Sequence, residues 1–241
     1  MPPGARPATL LLLLTALVLA AAAGCGDDDD AAEWRLVWED TFDGDAGTSP
    51  DSSRWAFDIG TNWGNNQLEY DTDRPVNVQL DGWGNLAIIA REEEYLGREY
   101  TSGRIKTQGR FSQTRGRFEA RIRLPVGRGI WPAFWLLGDD IDVIGWPECG
   151  EIDIMEYRGQ EPNVVINSLH GPGYSGGSAI SRRYVKSGNG FDADFHDFAI
   201  EWDRERITWF IDDIRTFTVT PEDLPSFGRW VFNDSFFIIL N

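Results

Sequence analysis

The sequence is short of positive charge, of cysteine and of histidine, and each shortage removes a class of function. Lys and Arg number 22 against 39 Asp and Glu, so the 241-residue chain has a formal net charge of −17 at pH 7. A phosphate backbone calls for a basic face, which excludes nucleic-acid binding as the leading role. The same balance argues against direct docking on an anionic membrane surface. The two cysteines, Cys25 and Cys149, make no zinc spacing, and no phosphate-cradling glycine loop is present. Cys149 has no convincing base beside it, so it is not read as a thiol nucleophile. No long run of helical period is found anywhere in the mature chain.

Aromatic residues, by contrast, are in surplus. The hydrophobic fraction of 41% supplies a real core and excludes disorder. Eleven Trp exceed what a core of this size needs, and they suggest a surface that holds sugars or other flat apolar ligands.

Residues 1–24 read as an export signal, with Arg6 as the basic region and an apolar run over residues 10–23. That run is about 14 residues, too short for a comfortable membrane span. Ala22-Ala23-Gly24-Cys25 resembles a bacterial lipoprotein signal, in which the cysteine becomes the lipidated first residue. The alternative is an ordinary secretory signal cut nearby. The expectation is an exported protein lipid-anchored through Cys25 at the bacterial cell surface, with the membrane a partner only through that anchor. Residues 25–33 form an acidic tether. With lipid on Cys25, Cys149 has no disulfide partner.

Residues 34–241 read as one all-β domain, with no internal repeat and no linker. Residues 117–124 alternate polar and apolar strictly, the period of a half-buried strand. Similar segments recur at 36–42, 76–80, 85–90, 164–170, 198–202, 207–211 and 236–240. Turn clusters such as Asp81-Gly82, Gly188-Asn189-Gly190 and Asp212-Asp213 lie between them. Many short strands so punctuated predict an antiparallel sandwich or barrel.

The chemistry concentrates in Gly150-Glu151-Ile152-Asp153-Ile154-Met155-Glu156. On a strand, Glu151 and Asp153 share one face while Ile152 and Ile154 enter the core. Strict alternation would then bury Glu156 unpaired, at great cost. One extra residue, a β-bulge near Met155, returns Glu156 to the acidic face. Crowded carboxyls push at least one pKa up. Glycoside hydrolysis needs that split, one carboxylate ionised and one acid still protonated near neutral pH. A retaining enzyme needs its two carboxyls about 5–5.5 Å apart, so the strand must curve and the side chains converge. A merely solvated acidic strand face is the competing reading of this segment.

The segment resembles the signature of family 16 glycoside hydrolases, in the bulged form with the extra Met. The surroundings resemble the bacterial laminarinase branch of endo-β-1,3-glucanases. They include Trp63-Gly64-Asn65-Asn66, Leu68-Glu69-Tyr70, Thr101-Ser102-Gly103-Arg104-Ile105 and Gly116-Arg117-Phe118-Glu119. Gly129-Ile130-Trp131-Pro132-Ala133-Phe134-Trp135-Leu136 belongs with them. The resemblance implies a two-sheet antiparallel β-sandwich, a concanavalin A-like jelly roll with a concave substrate cleft. It implies Glu151 as nucleophile, Glu156 as general acid/base and Asp153 as the middle acid that sets the other two.

The resemblance places His170 beside the acids and leaves His196 structural. It makes Trp131 and Trp135 a stacking platform on one strand face with Ala133, against the competing reading of core packing. Arg104 becomes a donor to sugar hydroxyls, against a plain surface charge. Asn65 becomes a sugar contact, against simple turn chemistry. Trp146-Pro147 precedes the catalytic strand and is left outside the assigned site.

No cofactor is expected for the chemistry. A structural Ca²⁺ is implied away from the cleft, near the acidic residues of 38–43, with its ligands unassigned. The partner implied is β-glucan polysaccharide, met by a monomer. The resemblance also implies a further loop and strand beyond Asn241, so a domain incomplete at that end, with one sheet edge unpaired, is expected. Asn167-Ser168 stands where Gly-Thr is usual, and Gln67 where Glu is common, which is expected to tune subsites without touching the acids. Two alternatives accompany the glucanase reading. One is a non-catalytic glucan-binding protein on the same fold. The other is a family enzyme acting on mixed-linkage glucan or a marine galactan.

Overall fold

The structure, a computed structural model, describes residues 34–241. The expected leader, the acidic tether and Cys25 lie outside the described residues. Sixteen short strands follow in order: β1 (Ala56–Phe57), β2 (Glu69–Asp71), β3 (Val78–Leu80), β4 (Leu86–Ile88), β5 (Arg91–Tyr95), β6 (Arg98–Ser102), β7 (Ile105–Lys106) and β8 (Gly116–Ile122). The remainder are β9 (Ala133–Gly138), β10 (Glu151–Tyr157), β11 (Val164–His170), β12 (Ile180–Val185), β13 (His196–Trp202), β14 (Ile207–Ile211), β15 (Ile214–Val219) and β16 (Phe236–Leu240).

Two sheets carry the sandwich. The larger has the order β1-β7-β16-β9-β10-β11-β12, and the smaller β15-β14-β13-β8. Both are antiparallel throughout. β2-β6-β5 and the β3-β4 hairpin form two minor sheets, and β2 and β6 pair in parallel. The all-β jelly-roll expectation is met. β8 pairs on one side only, with β13, and so forms an edge of the smaller sheet.

The period-2 pattern of β8 works as read: Phe118 and Ala120 are buried while Arg117, Glu119 and Arg121 face out. β16 is the opposite case, five apolar residues all buried. Phe236, Ile238 and Leu240 enter the main core between the sheets, while Phe237 and Ile239 pack with Leu137 and Cys149 on the far side. A strand buried on both faces belongs in the middle of a sheet, where β16 stands between β7 and β9.

The strand expected over residues 36–42 does not form; that segment is irregular. Among the described residues no strand pairs with it, and without a ladder partner a strand pattern has nothing to bond. Local bonds take over. The Phe42 N–H and the Trp55 indole N–H donate to the two oxygens of Asp40 at 2.8 and 2.7 Å. The Thr41 hydroxyl donates to Asp43 at 2.7 Å.

Candidate active site

The site lies on the face of the large sheet turned away from the smaller one. Its centre is a bulge in β10. Asp153 pairs with Ser168 of β11, and the next register pair is Glu156 with Ile166. Ile154 and Met155 therefore oppose Asn167 alone, the two-against-one count of a β-bulge at the position where the sequence needed one. Ile152, Ile154 and Met155 are buried at 0, 0 and 1% exposure, so the extra residue goes to the core and Glu156 does not.

A bulge breaks the ladder, and the orphaned groups need other partners. The Asn167 amide, fully buried, donates to the Ile154 carbonyl at 2.8 Å and accepts from the Thr216 hydroxyl of β15 at 3.0 Å. From the same layer the Trp209 indole N–H donates to the Asp153 carbonyl at 2.8 Å. The smaller sheet thus pins the bulge from below. Asn167 was expected to tune subsites; it is instead a core-side brace for the bulge. Gly150 opens the strand at φ 78°, where a Cβ would meet Phe236 and Val231 at 2.9 Å.

The register sets the neighbours of each acid. Leu137, Trp135 and Ala133 of β9 flank Glu151, Asp153 and Glu156 on one side. His170, Ser168 and Ile166 of β11 flank them on the other. His170 accepts the Gly176 N–H at Nδ1, 3.1 Å away, which assigns the proton to Nε2. That Nε2 lies 3.1 Å from Asp153 Oδ2 and 3.6 Å from Glu151 Oε1. The Trp146 indole N–H donates to Glu151 Oε2 at 3.0 Å, and its ring sits 6.0 Å from that of His170. Sequence reasoning left Trp146 out of the site. Its place five residues before Glu151 was the only signal, and nothing local showed where the indole would turn.

Burial dominates the electrostatics. It pushes Glu151 up to about 8; the charges of Asp153 and Glu156 act with it, and His170 and Trp146 against it. Asp153, only 4% exposed, is raised well above the usual carboxylate range by burial and then by the charge of Glu156. Its Oδ2 is buried without an in-line hydrogen-bond partner, which suits a protonated carboxyl. The protonation of Asp153 bears on that of Glu151. A proton held on Asp153 removes the second contribution that lifts Glu151, and the Trp146 donor and the nearby His170 favour its ionised form. Glu151, Asp153 and His170 each offer a ligand atom within 4.8 Å of the others, so the same triad has the spacing to hold a cation.

The other expected site residues are distributed along β9 and the loops beside it. Trp135 lies in β9 next to Asp153, but its ring is not bare. The Arg104 guanidinium stands 4.8 Å from its centroid, and the indole N–H donates to Asn241 at 2.8 Å. Trp131, expected on the strand face, precedes the strand instead. Pro132 has no N–H to give the ladder and intervenes, though its carbonyl still accepts from the Tyr157 N–H at 3.2 Å. Trp131 is 38% exposed.

Arg104 is largely buried rather than a plain surface charge. It pairs with Asp58 at 2.9 Å and lies between Trp135 and Trp63, 5.2 Å from the latter. Lys106 holds the second oxygen of Asp58 at 2.6 Å. Nearby, Asp71 was missed from sequence. Burial, with the charge of Glu69, pushes it up to about 7 while Arg104 opposes. Asn65 is exposed in the loop that carries Trp63, with φ 52°, the left-handed turn geometry Asn tolerates.

Two residues fall outside the site, as expected. His196 on β13 is buried, bonded to Asp212 at 2.6 Å and Lys186 at 3.1 Å. Cys149 is buried, and burial with the charges of Asp140 and Glu151 pushes its thiol up to about 12, which leaves it inert.

The chain matches the family described as Glycosyl hydrolases family 16 over residues 57–230. It is 42% identical over 218 residues to a beta-glucanase of Rhodothermus marinus, covering 88% of this chain and 76% of that protein. It is 38% identical over 228 residues to a glucan endo-1,3-beta-glucosidase of Cryptopygus antarcticus, covering 86% and 79%. Among solved structures, the laminarinase catalytic domain of Thermotoga maritima superposes with a TM-score of 0.81 at 41% identity, covering 87% of this chain and 86% of that one.

Proposed function

The chain belongs to family 16 of the glycosyl hydrolases and is a glycoside hydrolase, and from that premise we propose that it cleaves β-1,3-glucan internally with retention at the anomeric carbon. One observation carries the assignment of roles: the β10 bulge that returns Glu156 to the face of Glu151 and Asp153. Glu151 attacks the anomeric carbon and forms a glycosyl-enzyme ester. Glu156 gives its proton to the departing glycosidic oxygen. Glu156 then takes a proton from water, which attacks the same carbon and frees Glu151.

Asp153 acts between them. Neutral, it favours a charged Glu151; ionised, it would raise Glu151 further. The Trp146 donor and the nearby His170 favour the charged Glu151. Trp131, Trp135, Arg104 and Asn65 border this face and are read as holding the glucan, with the Arg104-covered side of Trp135 closed to stacking. Export and a lipid anchor on Cys25 belong to the same proposal, as does a free, non-metal role for the acids.

The test is a substrate panel. The purified protein is incubated with laminarin, mixed-linkage glucan, agarose and carrageenan, with and without EDTA, while reducing ends are counted. Short oligomers from laminarin, insensitive to EDTA and appearing first as the β-anomer by proton NMR, are expected. Glucan binding without cleavage would move the assignment to a binding protein. Loss of activity with EDTA while thermal unfolding stays unchanged would move Glu151, Asp153 and His170 to a metal centre. The mass of the exported protein, with lipid on Cys25 or without, decides the anchor.

A further inference from the structure

Glu156 has a partner that the double-displacement scheme does not use. Its Oε2 accepts from the Ser168 hydroxyl at 3.1 Å, and Ser168 in turn accepts from the Ser181 hydroxyl at 3.0 Å. Ser168 sits on β11 opposite Asp153, and Ser181 opposite Ser168 on β12, so three adjacent strands line up the chain. Ser168 is only 3% exposed, too deep to meet a polysaccharide, whereas Ser181 is exposed on the outermost strand.

We propose that Ser168, its hydroxyl aimed by Ser181, is a positioning residue that decides which oxygen of Glu156 carries the proton. The inference rests on the general-acid reading of Glu156 above. A hydroxyl has one proton to give. With Ser181 donating to one of its two lone pairs, Ser168 directs its own proton at Oε2. An oxygen that accepts a hydrogen bond keeps carbonyl or carboxylate character, so the acidic proton resides on Oε1. Oε1 has no partner of this kind and remains the oxygen that delivers to the glycosidic oxygen. Without Ser168 the proton is shared between both oxygens and the carboxyl is free to rotate. The consequence falls on proton delivery alone, because Glu151 has its own donor in Trp146.

Leaving-group chemistry reads this out. Laminari-oligosaccharides leave as alkoxides and need the acid. A 2,4-dinitrophenyl β-laminaribioside leaves without it. The ratio of kcat/KM on the two substrates, both reporting the first step, isolates proton delivery from general damage. Ser168→Ala is expected to lose about 10- to 100-fold on the oligosaccharide and under about 3-fold on the dinitrophenyl glycoside. Ser168→Thr, which restores the hydroxyl, should return to within about 3-fold of the parent on both. Ser181→Ala, on an exposed strand where folding is not at stake, should show the same selectivity at about 3- to 5-fold.

Equal losses on the two substrates for both Ser168→Ala and Ser181→Ala, or no loss for either, would overturn the proposal. Glu156→Ala in the same assay separates the layers. If Glu156→Ala is selective and the serine variants are not, only the positioning role fails. If Glu156→Ala is itself unselective, the acid assignment fails and the positioning role with it.

Discussion

Replacing Glu151 by Gln should make the protein more stable and inactive at once, with a pH dependence that identifies the cause. In the folded protein this carboxyl is lifted from 4.5 to about 8, first by burial and next by the charge of Asp153. The native state therefore holds the proton more tightly than the unfolded chain. The stability associated with Glu151 is greatest below about pH 4.5, falls as pH rises, and levels off above about pH 8. Each pH unit across that window is worth about 1.4 kcal/mol. The full interval would approach 5 kcal/mol, and because part of the elevation belongs to Asp153's charge, about 2–4 kcal/mol is the expectation for the carboxylate alone.

Gln keeps the shape and an acceptor for the Trp146 indole but cannot ionise. The stability difference between Glu151→Gln and its parent should be near zero at pH 4. It should grow through neutrality to about 2–4 kcal/mol at pH 9. For a domain of this size that is a rise in Tm of roughly 5–12 °C. Urea unfolding of both proteins at pH 4, 7 and 9 measures it, and subtracting one curve from the other cancels every other titrating group. Laminarin cleavage should fall at least about 10⁴-fold while glucan binding persists. A difference in stability that does not vary with pH would refute the burial argument. Near-normal turnover would refute the nucleophile.

Three other substitutions follow from the same geometry. Trp146→Phe removes one charge-stabilising donor from Glu151, and kcat/KM on laminarin should drop about 10-fold with an unchanged circular dichroism spectrum; full activity would mean the indole does not steady the nucleophile. Asp71→Asn removes a buried acid lifted to about 7, so it should flatten the loss of stability between about pH 4 and 7 by about 1–3 kcal/mol. That difference levels off about one pH unit earlier than for Glu151, and parallel urea curves for parent and variant would dismiss it. Gly103→Ala places a Cβ 2.0 Å from Val78 Cγ2 in the buried turn that leads to Arg104, and should destabilise by at least about 1–3 kcal/mol. The double variant with Val78→Ala should recover part of that loss, whereas parental stability for Gly103→Ala alone would show that Val78 yields freely.

Some of the site was legible because it depends on spacing. The need for a bulge in β10 followed from alternation alone, since Glu156 would otherwise have been an unpaired acid in the core. The strands at Val164–His170, Ile207–Ile211 and Phe236–Leu240 have the limits their patterns suggested. The same patterning misled at residues 36–42, where apolar alternation is present but no partner strand lies alongside. Trp131 falls just outside β9, with Pro132, which has no N–H for the ladder, between them. Asp71 and Ser181 carried no local signal; Trp146 showed only as a neighbour of the catalytic strand, and Ser168, set apart as not touching the acids, bonds to Glu156.

The order of residues by itself determined an all-β chain and three acids needed on one strand face. Both follow from a side-chain period of two and from the prohibition on burying a lone charge, which act within a few residues. Only the tertiary structure decided how those acids ionise and what holds them. Burial of Asp153, the Trp146 bond to Glu151, the Asn167 and Trp209 braces and the serine pair behind Glu156 all arise from segments brought together by sheet register and layer packing. Desolvation and cross-strand hydrogen bonding are properties of what lies alongside a residue, and sequence neighbours do not specify it.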